Sequence, residues 1–144
     1  MSTERFTLRA AVYLLLIKNN RILLLRRFNT GWEDGNYSLV AGHIDGKETI
    51  YETMAREAKE EAGITINLSN MHVVHTMHRN SNLEYIDFFL VADNWQGKPK
   101  IMEPDKSDDM QWFSLENLPS NILPHVKQAI EHYKDNITFS EFGW

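Results

Sequence analysis

The sequence predicts one α+β domain, with helices packed on a mixed β-sheet, over residues 1–144. Three observations carry this. Apolar runs of strand length recur along the chain, two longer segments carry a helical period, and the two do not alternate in the βαβ rhythm of a parallel sheet. A length of 144 residues suits one domain with a core that needs no staple.

Leu8 to Ile17 is rich in apolar residues and reads as a strand, closed by the turn residues Lys18-Asn19-Asn20. Arg21 to Arg27 is a second strand, so the two are expected to form a hairpin. Phe28 to Asn36 has loop composition, and Tyr37 to Val40 is a short buried strand leading into Gly42. From Thr49 to Ala62 the pattern is helical. Its apolar face holds Tyr51, Met54, Ala55, Ala58 and Ala62, and Gly63 stands where a left-handed cap is wanted. Met71 to His78 and Tyr85 to Ala92 are further strands around the turn Asn80-Ser81-Asn82. His72, His75 and His78 recur every third residue there and read as ordinary strand residues. A polar stretch with Gly97, Pro99 and Pro104 precedes a short strand at Met110 to Phe113. Pro124 to Tyr133 forms a second amphipathic helix, with Val126, Ala129, Ile130 and Tyr133 on its apolar face.

Composition narrows the function. Hydrophobic residues make up 42% and charged residues 24%, as in ordinary globular proteins. There is no cysteine, which excludes disulfides, thiolate zinc sites and cysteine nucleophiles, and fits a cytoplasmic location. The apolar stretch Ala10 to Ile17 is too short to span a bilayer and has no small-residue cleavage site after it, so neither membrane insertion nor a signal peptide is expected. The net charge of −5 disfavours long nucleic acid as a partner and leaves small anions, provided a metal or local Arg/Lys screens them.

The densest chemistry lies between Gly42 and Ile64: Gly42, Glu48, Arg56, Glu57, Glu60, Glu61, Gly63 and Ile64. Glu57, Glu60 and Glu61 stand at i, i+3 and i+4, so three carboxylates share one stripe of one helix. Like charges so spaced repel, and Arg56 offsets only one of them. A hard divalent cation such as Mg²⁺ prefers such oxygens and keeps waters for substrate phosphates. Bound metal would polarise phosphoryl oxygens and lower the pKa of water. A general base must take that water's proton, either one of these glutamates or Glu84, Glu103, Asp105 or Asp108 outside the helix, with Glu103 the first choice.

Spaced Gly-x5-Glu-x7-Arg-Glu-Ala-x-Glu-Glu-x-Gly-Ile, these residues resemble the signature of the Nudix hydrolases, with Ala58 where the family carries a larger aliphatic. The resemblance, to small MutT-like members, implies an α/β/α sandwich and hydrolysis of a nucleoside diphosphate linked to another moiety. It casts Glu57, Glu60 and Glu61 as Mg²⁺ or Mn²⁺ ligands, with the Ala41 carbonyl as a further one. It casts Arg56 as the arginine that positions a catalytic glutamate, and Gly42, Glu48 and Gly63 as structural. Many relatives have glycine where this chain has Ala41, so the loop there is expected to differ, because alanine adopts positive φ at a cost.

Outside the box, Arg27 and Arg79 end strands and would offer fixed charge to phosphates. His43 would lean towards phosphate or brace the loop. Trp32, in a polar loop, is the expected stacking surface for a base, while Trp112 reads as core. Phe139, Phe142 and Trp144 form an aromatic tail that would dock on its own domain or on a second subunit, and monomer and homodimer both stay open. The expected substrate is a nucleoside triphosphate, standard or oxidised. ADP-ribose, NDP-sugars, dinucleoside polyphosphates and RNA 5′ ends are alternatives, and a non-catalytic nucleotide sensor is a rival class.

Overall fold

The computed structural model describes residues 4–144. In chain order the strands are β1 (Arg9–Leu15), β2 (Ile17–Lys18), β3 (Arg21–Arg27), β4 (Tyr37–Ser38), β5 (Val40–His43), β6 (Met71–Ser81), β7 (Leu83–Ala92), β8 (Ser107–Ser114) and β9 (Phe139–Phe142). The helices are α1 (Ile50–Ala62) and α2 (Pro124–Lys134). A mixed sheet runs β5-β1-β7-β6-β9, with β1–β7 and β6–β9 parallel and the other pairs antiparallel. The remaining strands form a smaller sheet in which β3 pairs with β2, β4 and β8.

Strand alternation explains the layering. Ala11, Tyr13 and Leu15 of β1 join a core with Val126, Ala129 and Ile130 of α2. Val12 and Leu14 join a second core with Met54, Ala58 and Ala62 of α1. The mixed sheet is therefore flanked by one helix on each face, the sandwich expected. Each large aliphatic so buried contributes about 1.5–3 kcal/mol, which outweighs the helix-destabilising charge stripe on α1.

One expectation changes and another narrows. Asn19 and Asn20 do adopt positive φ, 54° and 60°, and close a turn. The hairpin they close is only Ile17–Lys18 against Arg21–Ile22, because β1 and β3 belong to different sheets. Both strands are buried on both faces, so neither is content with a single hairpin partner. The aromatic tail docks on its own domain as β9, parallel to Thr76–Arg79, and the Trp144 indole donates to the His78 carbonyl at 3.1 Å. The histidine triplet is structural where it is buried: His75 meets the Ile137 carbonyl at 2.8 Å and the Ser140 hydroxyl at 2.7 Å.

Candidate functional site

The helix that carries the carboxylates is held at both ends. Thr49 accepts from the Glu52 amide at 3.1 Å, and the Glu52 side chain accepts from the Thr49 amide at 2.9 Å, a reciprocal cap. Gly63 closes the other end at φ 70°, where a side chain would be strained and would press on Met102. With Met54, Ala58 and Ala62 turned into the core, Glu57, Glu60 and Glu61 are turned to one open cleft of about 690 Å³.

Arg56 spends its charge on three carboxylates. Its Nε lies 3.1 Å from each Glu48 oxygen, and its Nη1 reaches Glu57 at 3.0 Å and Glu60 at 3.3 Å. Glu48 first, and then Glu57, raise the Arg56 pKa, while Arg56 in turn lowers that of Glu48. Glu61 is left out. Burial, the adjacent Glu57 and nearby Glu103 push its carboxyl well above the usual range, against a smaller lowering by the Ala41 backbone. Charge is therefore short by a cation where Glu57, Glu61 and Glu103 meet.

Gly42 makes room for that meeting. A methyl group on it would overlap the carboxyl of Glu57, so the requirement here is space rather than conformation. Ala41 lies in extended backbone of β5, opposite Tyr13, with no positive φ, so the exchange of glycine for alanine carries no strain. All the donors are hard oxygens, and the carboxyls already crowd one another, which fits a divalent cation. Among the described residues no three His, Cys, Asp or Glu side chains converge as a finished cage, so the cation's other ligands would be water and substrate.

The remaining candidates divide between two cavities. Glu103 and Asp105 line the acidic cleft, whereas Asp108 pairs with Arg26 at 2.7 Å and Glu84 sits in β7 opposite Asn80. A second cavity of about 400 Å³ adjoins the cleft and shares Arg27, Ser38, Ala41, Gly42 and His43 with it. Arg27 is fixed at the seam by the Trp32 carbonyl at 2.7 Å and Thr30 at 2.9 Å, with its guanidinium 4.8 Å from the Trp32 ring. Asp34 ties that loop by accepting from the Thr30 and Gly31 amides, and these donors with the Thr30 hydroxyl lower its pKa. Trp32 lines the second cavity. Arg79 does not reach the acidic cleft. It lines the second cavity, paired with Asp87 at 2.6 Å.

Asp87, Tyr13 and His125 escaped the sequence reasoning. Asp87 left a signal: it is an acid inside the apolar strand Tyr85–Ala92, where a partner is required. Tyr13 meets His125 Nε2 at 3.1 Å, and burial pushes the Tyr13 pKa up and that of His125 down to about 3.

Known proteins resemble this chain in sequence and in fold. The family model described as the NUDIX domain matches residues 7–135. An ADP-ribose pyrophosphatase of Methanocaldococcus jannaschii is 30% identical over 114 residues, covering 78% of this chain and 66% of that protein. An oxidized purine nucleoside triphosphate hydrolase of Danio rerio is 28% identical over 125 residues, covering 79% and 71%. The solved MutT NUDIX hydrolase from Burkholderia pseudomallei superposes with a TM-score of 0.80 at 24% identity, covering 88% of this chain and 98% of that one, which speaks for the fold. The chain spans less than two thirds of the length of the first curated relatives it matches, 66% of one and 41% and 42% of two others.

Proposed function

The chain belongs to the Nudix hydrolase family, and from that premise we propose that it hydrolyses a pyrophosphate bond in a nucleotide, a nucleoside triphosphate first, with Mg²⁺ or Mn²⁺. Members of the family generally use divalent metals. One observation carries the proposal: an acidic cleft short of a cation opens directly into a cavity of about 400 Å³ with aromatic walls. The first suits metal and phosphates, the second a nucleoside.

Glu57, Glu60 and Glu61 would hold the cation. When bound, it would lower the pKa of a water and polarise the phosphoryl oxygens. Arg56 keeps Glu57 and Glu60 aimed through its hydrogen bonds. Glu103, at the cleft wall, would accept the water's proton. Its neighbour Lys106 pairs with it at 3.8 Å. Arg27, locked by the loop, would set a fixed positive charge over the phosphates where the two cavities join. The ADP-ribose pyrophosphatase likeness supports a second reading, in which ADP-ribose is the substrate.

The test is a panel of NTPs, oxidised NTPs, ADP-ribose, NDP-sugars and dinucleoside polyphosphates with Mg²⁺, with products separated as phosphate, pyrophosphate or mononucleotide. Turnover of NTPs supports the proposal. Turnover of ADP-ribose alone moves it to the second reading, and metal binding with no turnover at all leaves a nucleotide sensor.

A further inference from the structure

The cavity beside the acidic cleft is floored in part by Arg79, which belongs to the one ion pair among the described residues with both side chains buried. The side chains of Arg79 and Asp87 are 5% and 0% exposed. Asp87 takes Arg79 Nε at 2.6 Å and Nη2 at 3.2 Å, so both of its oxygens are engaged. Nη2 also approaches the Tyr13 hydroxyl at 3.4 Å. Nη1 has no hydrogen-bond partner among the described residues, yet it is not among the polar atoms sealed from solvent without one. The guanidinium plane rests 4.2 Å from the Tyr85 ring centre, which holds it against rotation.

Three consequences follow from these contacts. Asp87 lies behind Arg79, outside the cavity lining, and neutralises its charge, so an anion would gain less from Arg79 than from Arg27 at the seam. With both Asp87 oxygens engaged, what the pair has left to offer is an N–H donor of Arg79, which calls for an acceptor on the ligand. The walls include the rings of Tyr85 and Trp32, suited to a flat heterocycle. A neutral, flat ligand with an acceptor at its inner edge is a nucleobase carrying a ring carbonyl.

The geometry points to Arg79, held by Asp87, as the specificity-determining residue that reads the carbonyl oxygen of a 6-oxopurine base and rejects a 6-amino group at the same place. An exocyclic amino group there would set N–H against N–H and strand a buried donor, while guanine or hypoxanthine would satisfy it. This rests on the hydrolase reading above only for the claim that the ligand is a nucleotide. It runs against adenine-bearing substrates, ADP-ribose included.

Mononucleotides carry the base without a pyrophosphate to cleave, so binding can be measured apart from turnover. Titration calorimetry with IMP, GMP and AMP, Mg²⁺ present, should show IMP and GMP bound at least about tenfold more tightly than AMP. Equal affinities for IMP and AMP, or no binding of any of the three, overturn the inference. In the double variant Arg79→Met/Asp87→Leu, which removes both charges together, the preference for IMP over AMP should disappear. A surviving IMP preference in a variant that melts cooperatively would assign the selection elsewhere. The wild-type ratio stands as a test even if that variant does not fold. Turnover separates the two readings. ITP and ATP cleaved equally, with equal mononucleotide binding, sinks only the base selection; IMP preferred with no NTP cleaved sinks only the hydrolase proposal.

Discussion

The two adjoining cavities treat charge in opposite ways. On α1, Arg56 is shared among Glu48, Glu57 and Glu60, and Glu61 faces Glu57 and Glu103 without a counter-ion. In the neighbouring cavity Arg79 and Asp87 cancel each other within 2.6 Å. A deficit left standing invites a charged visitor, and a balanced pair invites a neutral one. The difference teaches that a cluster's unpaired remainder, more than its number of charges, tells what it is for.

The comparison breaks most visibly at the balanced pair. Asp87→Asn would leave Arg79 buried without its counter-ion and should cost about 3–5 kcal/mol, read from denaturant unfolding. Removing both charges with Arg79→Met/Asp87→Leu should be close to neutral, because a buried pair stabilises little over packed apolar residues. The acidic cleft should behave the other way. Glu57→Gln and Glu61→Gln should each lower Mg²⁺-dependent turnover on the order of a hundredfold while leaving the melting temperature equal or higher. Wild-type rates in both variants would remove the metal cradle.

Gly42→Ala sharpens the contrast at the seam. The flexible Glu57 side chain would swing away from the added methyl, so stability should change little while turnover falls about tenfold. A rate equal to wild type would show that Glu57 is not used where it stands.

The two regions should also answer pH with opposite signs. Glu61 has a raised pKa, so the folded protein binds more protons than the unfolded chain just above the ordinary carboxylate range, and stability without metal should fall as pH rises through it. Added Mg²⁺ should flatten that limb. His125 is depressed to about 3, so its contribution is present above its ordinary value and lost as pH falls, at about 1.4 kcal/mol per unit. His125→Phe should remove that acid-side slope in urea unfolding series. The smallest effect is expected away from both cavities: Thr49→Ala breaks the helix cap and should cost about 1 kcal/mol, with the KM unchanged.

What could be read in the residues was what depends on local periodicity. The period of α1, its capping Thr49 and Gly63, and the strand Arg21–Arg27 all follow from neighbours within a few positions. The carboxylate stripe belongs to the same class. What escaped depends on register between distant segments. The short strand β9 forms only because β6 offers an open edge, more than sixty positions earlier in the chain by the pairing Thr76 with Phe139. Arg79 looked like a free strand end until the pairing of β6 with β7 set Met77 opposite Asp87 and placed the arginine diagonally across from that acid. Trp32 lines the second cavity, where a tryptophan in a polar loop was expected to face open space, but its stacking on Arg27 left no trace in the sequence.

The seam along β5 has a consequence for how such a molecule can diverge. The carboxylate cradle belongs to α1, whereas the floor of the other cavity belongs to β1, β6 and β7, and the two meet through a few small residues such as Ala41 and Gly42. Substitutions on the β6–β7 hairpin would therefore reshape the second cavity without touching the helix that carries the carboxylates. Lineages that share this scaffold are free to drift in preference while their chemistry stays put, and a designer could exchange the hairpin as a cassette.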